Sequence, residues 1–105
     1  MLYDFYGELL TEHQRQIYED IVFHDLSLSE IAQEQKITRQ GVYDLVKRCD
    51  RILEEYEEKL HLVEKFQETK KLAGQIQELL YKYQEKEDAS ILLQAGKLAG
   101  RIVEI

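Results

Sequence analysis

No proline occurs anywhere in this 105-residue chain, and no glycine falls between Gly41 and Gly74. Across that stretch the apolar residues Val42, Leu45, Val46, Cys49, Ile52, Leu53, Tyr56 and Leu60 return every third or fourth position. Residues three and four apart share one face of a helix, so the spacing predicts a single amphipathic helix from about residue 39 to about residue 60. Ala, Leu, Ile, Glu, Gln, Lys and Arg dominate the rest, which favours helix nearly everywhere. The length suits one compact domain, or one domain with a helical extension.

The segments on either side carry their own start signals. "LYDFYGEL" (2–9) puts Leu2, Tyr3, Tyr6 and Leu9 on one face of a short helix, with an irregular segment as the alternative. Thr11-x-x-Gln14 is a capping box, in which a hydroxyl and a carboxamide satisfy each other's backbone N–H groups. Behind it Ile17, Tyr18, Ile21 and Val22 keep helical spacing to an end near His24-Asp25. Ser27-x-x-Glu30 is a second box, opening "LSEIAQEQ" with Leu28, Ile31 and Ala32 facing inward. Three residues, Gln35-Lys36-Ile37, then lead to Thr38 as the N-cap of the long helix. Beyond it, Val63, Phe66, Leu72, Ala73, Ile76, Leu79, Leu80 and Tyr83 mark a further helix; "QEKED" breaks the pattern. Asp88 caps a last helix through Ile91, Leu92, Ala95, Leu98 and Ile102.

Two capped helices joined by a short turn make a helix-turn-helix. Small Ala32 lets the two helices cross closely, Ile37 is expected to drop into the core from the turn, and Val42 and Val46 pack the third helix onto the first two. That leaves Arg39, Gln40, Tyr43, Asp44 and Lys47 on the outward N-terminal face, the part of a recognition helix that meets base edges. Arginine pairs bidentately with guanine and glutamine with adenine. Arg48 and Arg51 lie further along, and with Thr38 they suit the phosphate backbone. The plain alternative is that Arg39 and Lys47 are solvated helix charges and Tyr43 a packed ring edge.

"LTEHQRQIYEDIVFHDLSLSEIAQEQKITRQGVYDLVKRCDRIL" resembles the region 4 domain of bacterial sigma factors, in its capped first helix, its "LSLSEIA" and its "IT-R" entry. A closer resemblance, through "LYDFYGELLTEHQ", "DLSLSEIA", "TRQGVYD", "KR" and "LEEYEEKL", is to the small YlxM-like family of helix-turn-helix proteins, and it spans residues 2 to about 62. The resemblance implies an all-helical protein encoded beside signal-recognition-particle GTPases, with a regulatory role in that pathway. Sigma-like recognition helices are commonly basic where Tyr43 and Leu45 stand here, and glycine often fills the turn position of Lys36. Lys36 is therefore expected in the left-handed conformation, at a cost of about 1 kcal/mol. Two missing cations and the added Asp44 imply weaker DNA binding than a sigma domain achieves.

Charge sharpens the picture. The formal net charge is −7, and all of it lies in residues 1–62, with seven Lys/Arg against fourteen Asp/Glu. Inside that acidic half, residues 36–51 reverse the sign with five cations against Asp44 and Asp50. Glu54, Glu55, Glu57 and Glu58 read as a solvated strip that also suits a basic partner. "KLAGQIQEL" (71–79) and "KLAGRIVEI" (97–105) share six of nine residues, a repeat that lets two helices pack closely. Gly96-x-x-x-Gly100 would mark a membrane dimer in an apolar segment, but Lys97 and Arg101 exclude that.

No glycine-rich phosphate loop, Cys/His pair or pocketed carboxylate dyad is present, so the chain is not expected to be an enzyme and needs no cofactor. His13, His24 and His61 are scattered, which offers no metal-site spacing. Cys49, the one cysteine, belongs to the buried stripe and fits a reducing cytoplasm. No apolar run approaches the roughly 20 residues of a membrane span, and the N-terminus lacks a signal peptide.

The expected fold is thus all-α: a sigma-region-4-like helix-turn-helix domain (1–62) with an extended third helix, then a C-terminal α-hairpin (63–105). The expected function is DNA binding in the cytoplasm, with RNA as a further nucleic-acid partner and the signal-recognition-particle pathway as the setting. A homodimer is expected through Phe66, Leu72, Ile76, Leu79, Leu98 and Ile102. The alternative is an adaptor that touches protein or RNA components of that particle without binding DNA.

Overall fold

A computed structural model describes every residue from Met1 to Ile105. All regular structure in it is helical: α1 (Leu2–Tyr6) with a 3-10 turn at Gly7–Leu9, α2 (Glu12–Val22), α3 (Leu28–Gln35), α4 (Arg39–Leu60), α5 (Leu62–Lys86) and α6 (Ala89–Val103). The chain divides into two units, Met1–His61 and Leu62–Ile105.

In the first unit α2, α3 and α4 start where their caps were legible, while α1 has no side-chain cap. Thr11 and Gln14 exchange both bonds of the capping box, Ser27 accepts the Glu30 N–H and Thr38 the Gly41 N–H. Ile17 of α2, Ile31 and Ala32 of α3 and Val42 of α4 form one buried cluster, ringed by Ile21, Leu26, Leu28, Leu45 and Val46. A second part of the core runs down α4, where Cys49 and Leu53 are buried. Burial pushes the Cys49 thiol above its ordinary pKa, and Asp50 adds to the effect. The thiol is thus an inert packing group.

α1 does not keep one face throughout. The 3-10 turn rotates the chain after Tyr6, so Leu10 is buried while Leu9, expected on the apolar face, is exposed. Tyr6 is fully buried and its hydroxyl donates to Glu57 Oε1 at 2.6 Å, so Glu57 is drawn out of the solvated strip expected on α4. Two further phenols bond carboxylates: Tyr3 to Glu19, and Tyr18 to Asp50 at 3.1 Å. Both phenols are pushed up to about 12, first by burial and then by these carboxylates. The folded state therefore holds these protons more tightly than the unfolded chain, whose tyrosines titrate near 10. Their contribution to stability is complete below pH ~10 and is lost as the pH rises towards 12. Denaturant midpoints are expected to fall across that window, and less steeply in a Tyr18→Phe variant; equal slopes would contradict the linkage.

The Tyr3 ring is pinned. It stacks on Tyr18 with centroids 5.3 Å apart and leans on Phe23 at 5.2 Å. A Cβ on Gly7 would lie 2.7 Å from Tyr3 Cε2. Gly7→Ala is expected to cost about 1–3 kcal/mol by overpacking, read as a lower melting midpoint. An unchanged midpoint would mean that the ring moves freely.

Three helices, α3, α4 and α5, end on a left-handed residue that is not glycine. Lys36, His61 and Glu87 are left-handed, with φ of 58°, 56° and 49°. Each N–H closes onto the carbonyl four residues back: Ala32, Glu57 and Tyr83. In the second unit the Glu87 turn and the Asp88 cap, which accepts the Ser90 N–H at 2.9 Å, join α5 and α6 into an antiparallel hairpin. Arg101 near the end of α6 reaches Glu68 in the first half of α5 at 3.4 Å. α5 continues through Gln84–Lys86, so the expected break shrinks to two residues. Val63, Leu72, Ile91 and Ala95 are its buried side chains.

Candidate nucleic-acid interface

The turn between α3 and α4 sets the direction of α4. The Ile37 N–H donates to the Ala32 carbonyl at 3.0 Å, beside the bond from left-handed Lys36 to the same oxygen. This is the six-to-one closure that ends many helices. Ile37 does not enter the core as expected. It is 42 % exposed and rests over the first turn of α4, where its Cδ1 lies 3.9 Å from the point a Cβ on Gly41 would occupy. Leu26 of the α2–α3 connection and Leu28 of α3 are packed against the core cluster; Ile37 is not among the side chains that ring it.

Every residue expected to face nucleic acid is exposed: Thr38, Arg39, Gln40, Tyr43, Asp44, Lys47, Arg48 and Arg51. The burial of Val42, Cys49 and Leu53 forces this, since it turns the opposite arc of α4, centred on Gln40, Asp44, Lys47 and Arg51, to solvent. Arg39, Arg48 and Arg51 make no ion pair or side-chain hydrogen bond, so their guanidinium groups are uncommitted. Lys47 Nζ sits over the Tyr43 ring, 5.5 Å from its centroid. Arg39, Gln40 and Tyr43, together with Leu28 of α3, line an open hollow of about 410 Å3. Leu28 had been placed only in the core.

Of the two acids in this basic segment, one is turned away from the face and one stays on it with its charge. Asp50 faces α2, where it accepts the Tyr18 hydroxyl. Asp44 accepts the Gln40 Nε2–H at 2.9 Å. The Thr38 hydroxyl oxygen is occupied by the Gly41 N–H, while the preceding turn adds the exposed Lys36 ammonium. Glu54 and Glu58 stand seven residues, two turns, beyond Lys47 and Arg51 on the same arc, so acids follow the cations after Arg51.

Two pairings off this face were not anticipated. Asp20 is buried and meets His24 Nδ1 at 3.0 Å and Gln16 at 3.4 Å, an i, i+4 signal visible in the sequence. In the hairpin, Leu72 is only 1 % exposed and packs inside it, so it is not available to a second chain. Ile76, Leu79, Leu98 and Ile102 are half-buried and Phe66 is exposed, as are Leu92, Leu93 and Val103.

A family model described as "Putative helix-turn-helix protein, YlxM / p13 like" matches residues 1–92, taking in the whole helix-turn-helix and α5. UPF0122 protein YlxM of Bacillus subtilis (strain 168) is 44 % identical over 94 residues, 90 % of this chain and 86 % of that protein. UPF0122 protein TTE1463 of Caldanaerobacter subterraneus subsp. tengcongensis is 52 % identical over 80 residues, 76 % of this chain and 68 % of its own. A Bacillus cereus (strain AH187) relative, UPF0122 protein BCAH187_A3894, is 49 % identical over 79 residues, 75 % and 72 % of the two chains.

Proposed function

The chain belongs to the YlxM/p13-like family of helix-turn-helix proteins, and from that premise we propose that it is a DNA-binding regulator that reads duplex DNA with the first half of α4. The observation that supports this is the uncommitted cationic arc. Arg39, Arg48 and Arg51 have no ion-pair partner, Lys47 lies on an aromatic face, and of the two nearby acids Asp50 is turned to α2 while Asp44 stays on the face beside Gln40. Arg39 and Gln40, in the first turn, meet base edges, while Lys47, Arg48 and Arg51 meet phosphates. Contact stops at Arg51, because Glu54 and Glu58 repel the backbone beyond it.

These three phosphate contacts give a salt slope of about −3 in log affinity against log salt. A titration of a duplex across a salt series measures it. A slope near zero, or tighter binding to structured RNA than to any duplex, would refute the DNA assignment. Linkage to the signal recognition particle, implied by the family resemblance, is kept as the setting of this regulator. Absence of particle components from material that co-purifies with the tagged chain would remove it.

The second unit is assigned to dimerisation. A hairpin of two helices has one internal seam, here with Leu72, Ile91 and Ala95 buried, and so small a core rarely suffices alone. Phe66, Leu92 and Leu93 remain exposed in the single chain and are buried by a second copy. Light scattering is expected to give twice the chain mass, and Leu93→Lys the monomer. A monomer for the parent chain at high concentration would refute the assignment.

A further inference from the structure

Asp44 is an anomaly on a surface meant for a polyanion. It stands three and four residues before Lys47 and Arg48, a spacing that favours ion pairs along a helix. Neither pair forms. Its carboxylate instead accepts a hydrogen bond from the Gln40 carboxamide, Nε2 to Oδ1 at 2.9 Å, one turn earlier. Both side chains are exposed and nothing else in the fold holds them.

A glutamine carboxamide has one acceptor oxygen and two N–H donors, one on the same side as the oxygen and one pointing away. Adenine offers a donor, N6–H, beside an acceptor, N7; guanine offers two acceptors, O6 and N7. An unrestrained glutamine reads either purine, since it can turn its oxygen or its nitrogen to the base. A carboxylate that holds the N–H pointing away from Oε1 removes this freedom. It leaves the edge formed by Oε1 and the remaining N–H facing outward, and that edge matches adenine in both contacts. The same negative charge opposes the acceptor edge of guanine. Fixing the carboxamide beforehand also removes rotamer freedom that would otherwise be lost on binding.

We propose that Asp44 is a positioning residue that locks the Gln40 carboxamide to select adenine over guanine at one base pair of the bound site. The inference rests on the assignment of α4 as a DNA-reading helix. It also accounts for an acid on that helix: Asp44 lowers overall affinity and raises discrimination.

The test is a selection from randomised duplexes with the parent chain, followed by affinities for the selected duplex and its adenine-to-guanine counterpart. The parent is expected to prefer adenine roughly tenfold at one position, the scale of one base contact. Asp44→Ala is expected to bring the two duplexes within about twofold while both bind more tightly, because a repelled charge is gone. Asp44→Glu, which can still accept from Gln40, restores part of the preference, and Gln40→Ala abolishes it with Asp44 present. A residue that merely supports the fold would lower both affinities together. An adenine preference that survives Asp44→Ala overturns the inference and leaves DNA reading intact, as does a parent without the preference. A parent that binds no duplex overturns both.

Discussion

Replacing Arg39 and Lys47 together by alanine is expected to lower duplex affinity roughly 30-fold or more while leaving the fold unchanged. Both side chains are exposed, and substitutions at such positions change stability by about 0.5 kcal/mol or less. A base contact by arginine contributes ~1–3 kcal/mol of discrimination, and a phosphate contact by lysine about one unit of salt slope. Losing both removes about two units of salt slope if Arg39 also touches the backbone, and about one if it reads a base. Lys47 has a second part to play, since its ammonium lies over the Tyr43 ring and orients it beside Arg39 and Gln40. Affinities at two salt concentrations, with a melt to verify folding, check the prediction. A double variant that binds as the parent does would show that α4 is not the reading element.

The largest loss of stability is expected at Ile31. It is fully buried at the centre of the cluster that joins α2, α3 and α4, with Ile17, Ala32 and Val42 as its neighbours. Ile31→Ala removes three heavy atoms from a site whose walls are three rigid helices, and costs about 2–5 kcal/mol through lost transfer energy and the cavity left behind. A small domain is stabilised by only ~5–15 kcal/mol in total. The melting midpoint should therefore drop by roughly 10 °C or more, at ~4–8 °C per kcal/mol for a unit of this size. Ile31→Val, which keeps the branched shape, is expected to cost only about 0.5–1.5 kcal/mol. Since this cluster fixes the angle of α4, duplex affinity should fall with temperature as the alanine variant melts. Equal midpoints for the two variants would contradict the packing described here.

Most helix starts were legible because caps are local chemistry. Thr11, Ser27, Thr38 and Asp88 each accept the N–H that their spacing announces. The left-handed Lys36 was legible too, through the resemblance to sigma-like domains, which often have glycine at that position of the turn. His61 and Glu87 use the same device, but their breaks could be placed only approximately from the change in apolar spacing.

What was hidden depends on packing between distant residues. Nothing near Ile37 in sequence shows that it stays 42 % exposed over the first turn of α4. Leu9 and Leu10 exchange roles because of one 3-10 turn, which shifts the helical register by less than a residue. Glu57 looked like one of four solvated glutamates until Tyr6, 51 positions away, claimed its carboxylate. The outward face of α4 was legible residue by residue, since burying Val42, Cys49 and Leu53 leaves it no other orientation. The bond between Gln40 and Asp44 was not, because Lys47 and Arg48 were equally well spaced partners for the same acid.

The central claim is that the first half of α4 reads duplex DNA. It is tested most directly by retaining fragments of the source genome on the purified full-length chain and sequencing what survives washes of rising salt. A defined site should be enriched, repeated with two-fold symmetry about one helical turn or a multiple of it apart, as a dimer requires. Retention without any shared sequence, or no retention at low salt, would contradict the account.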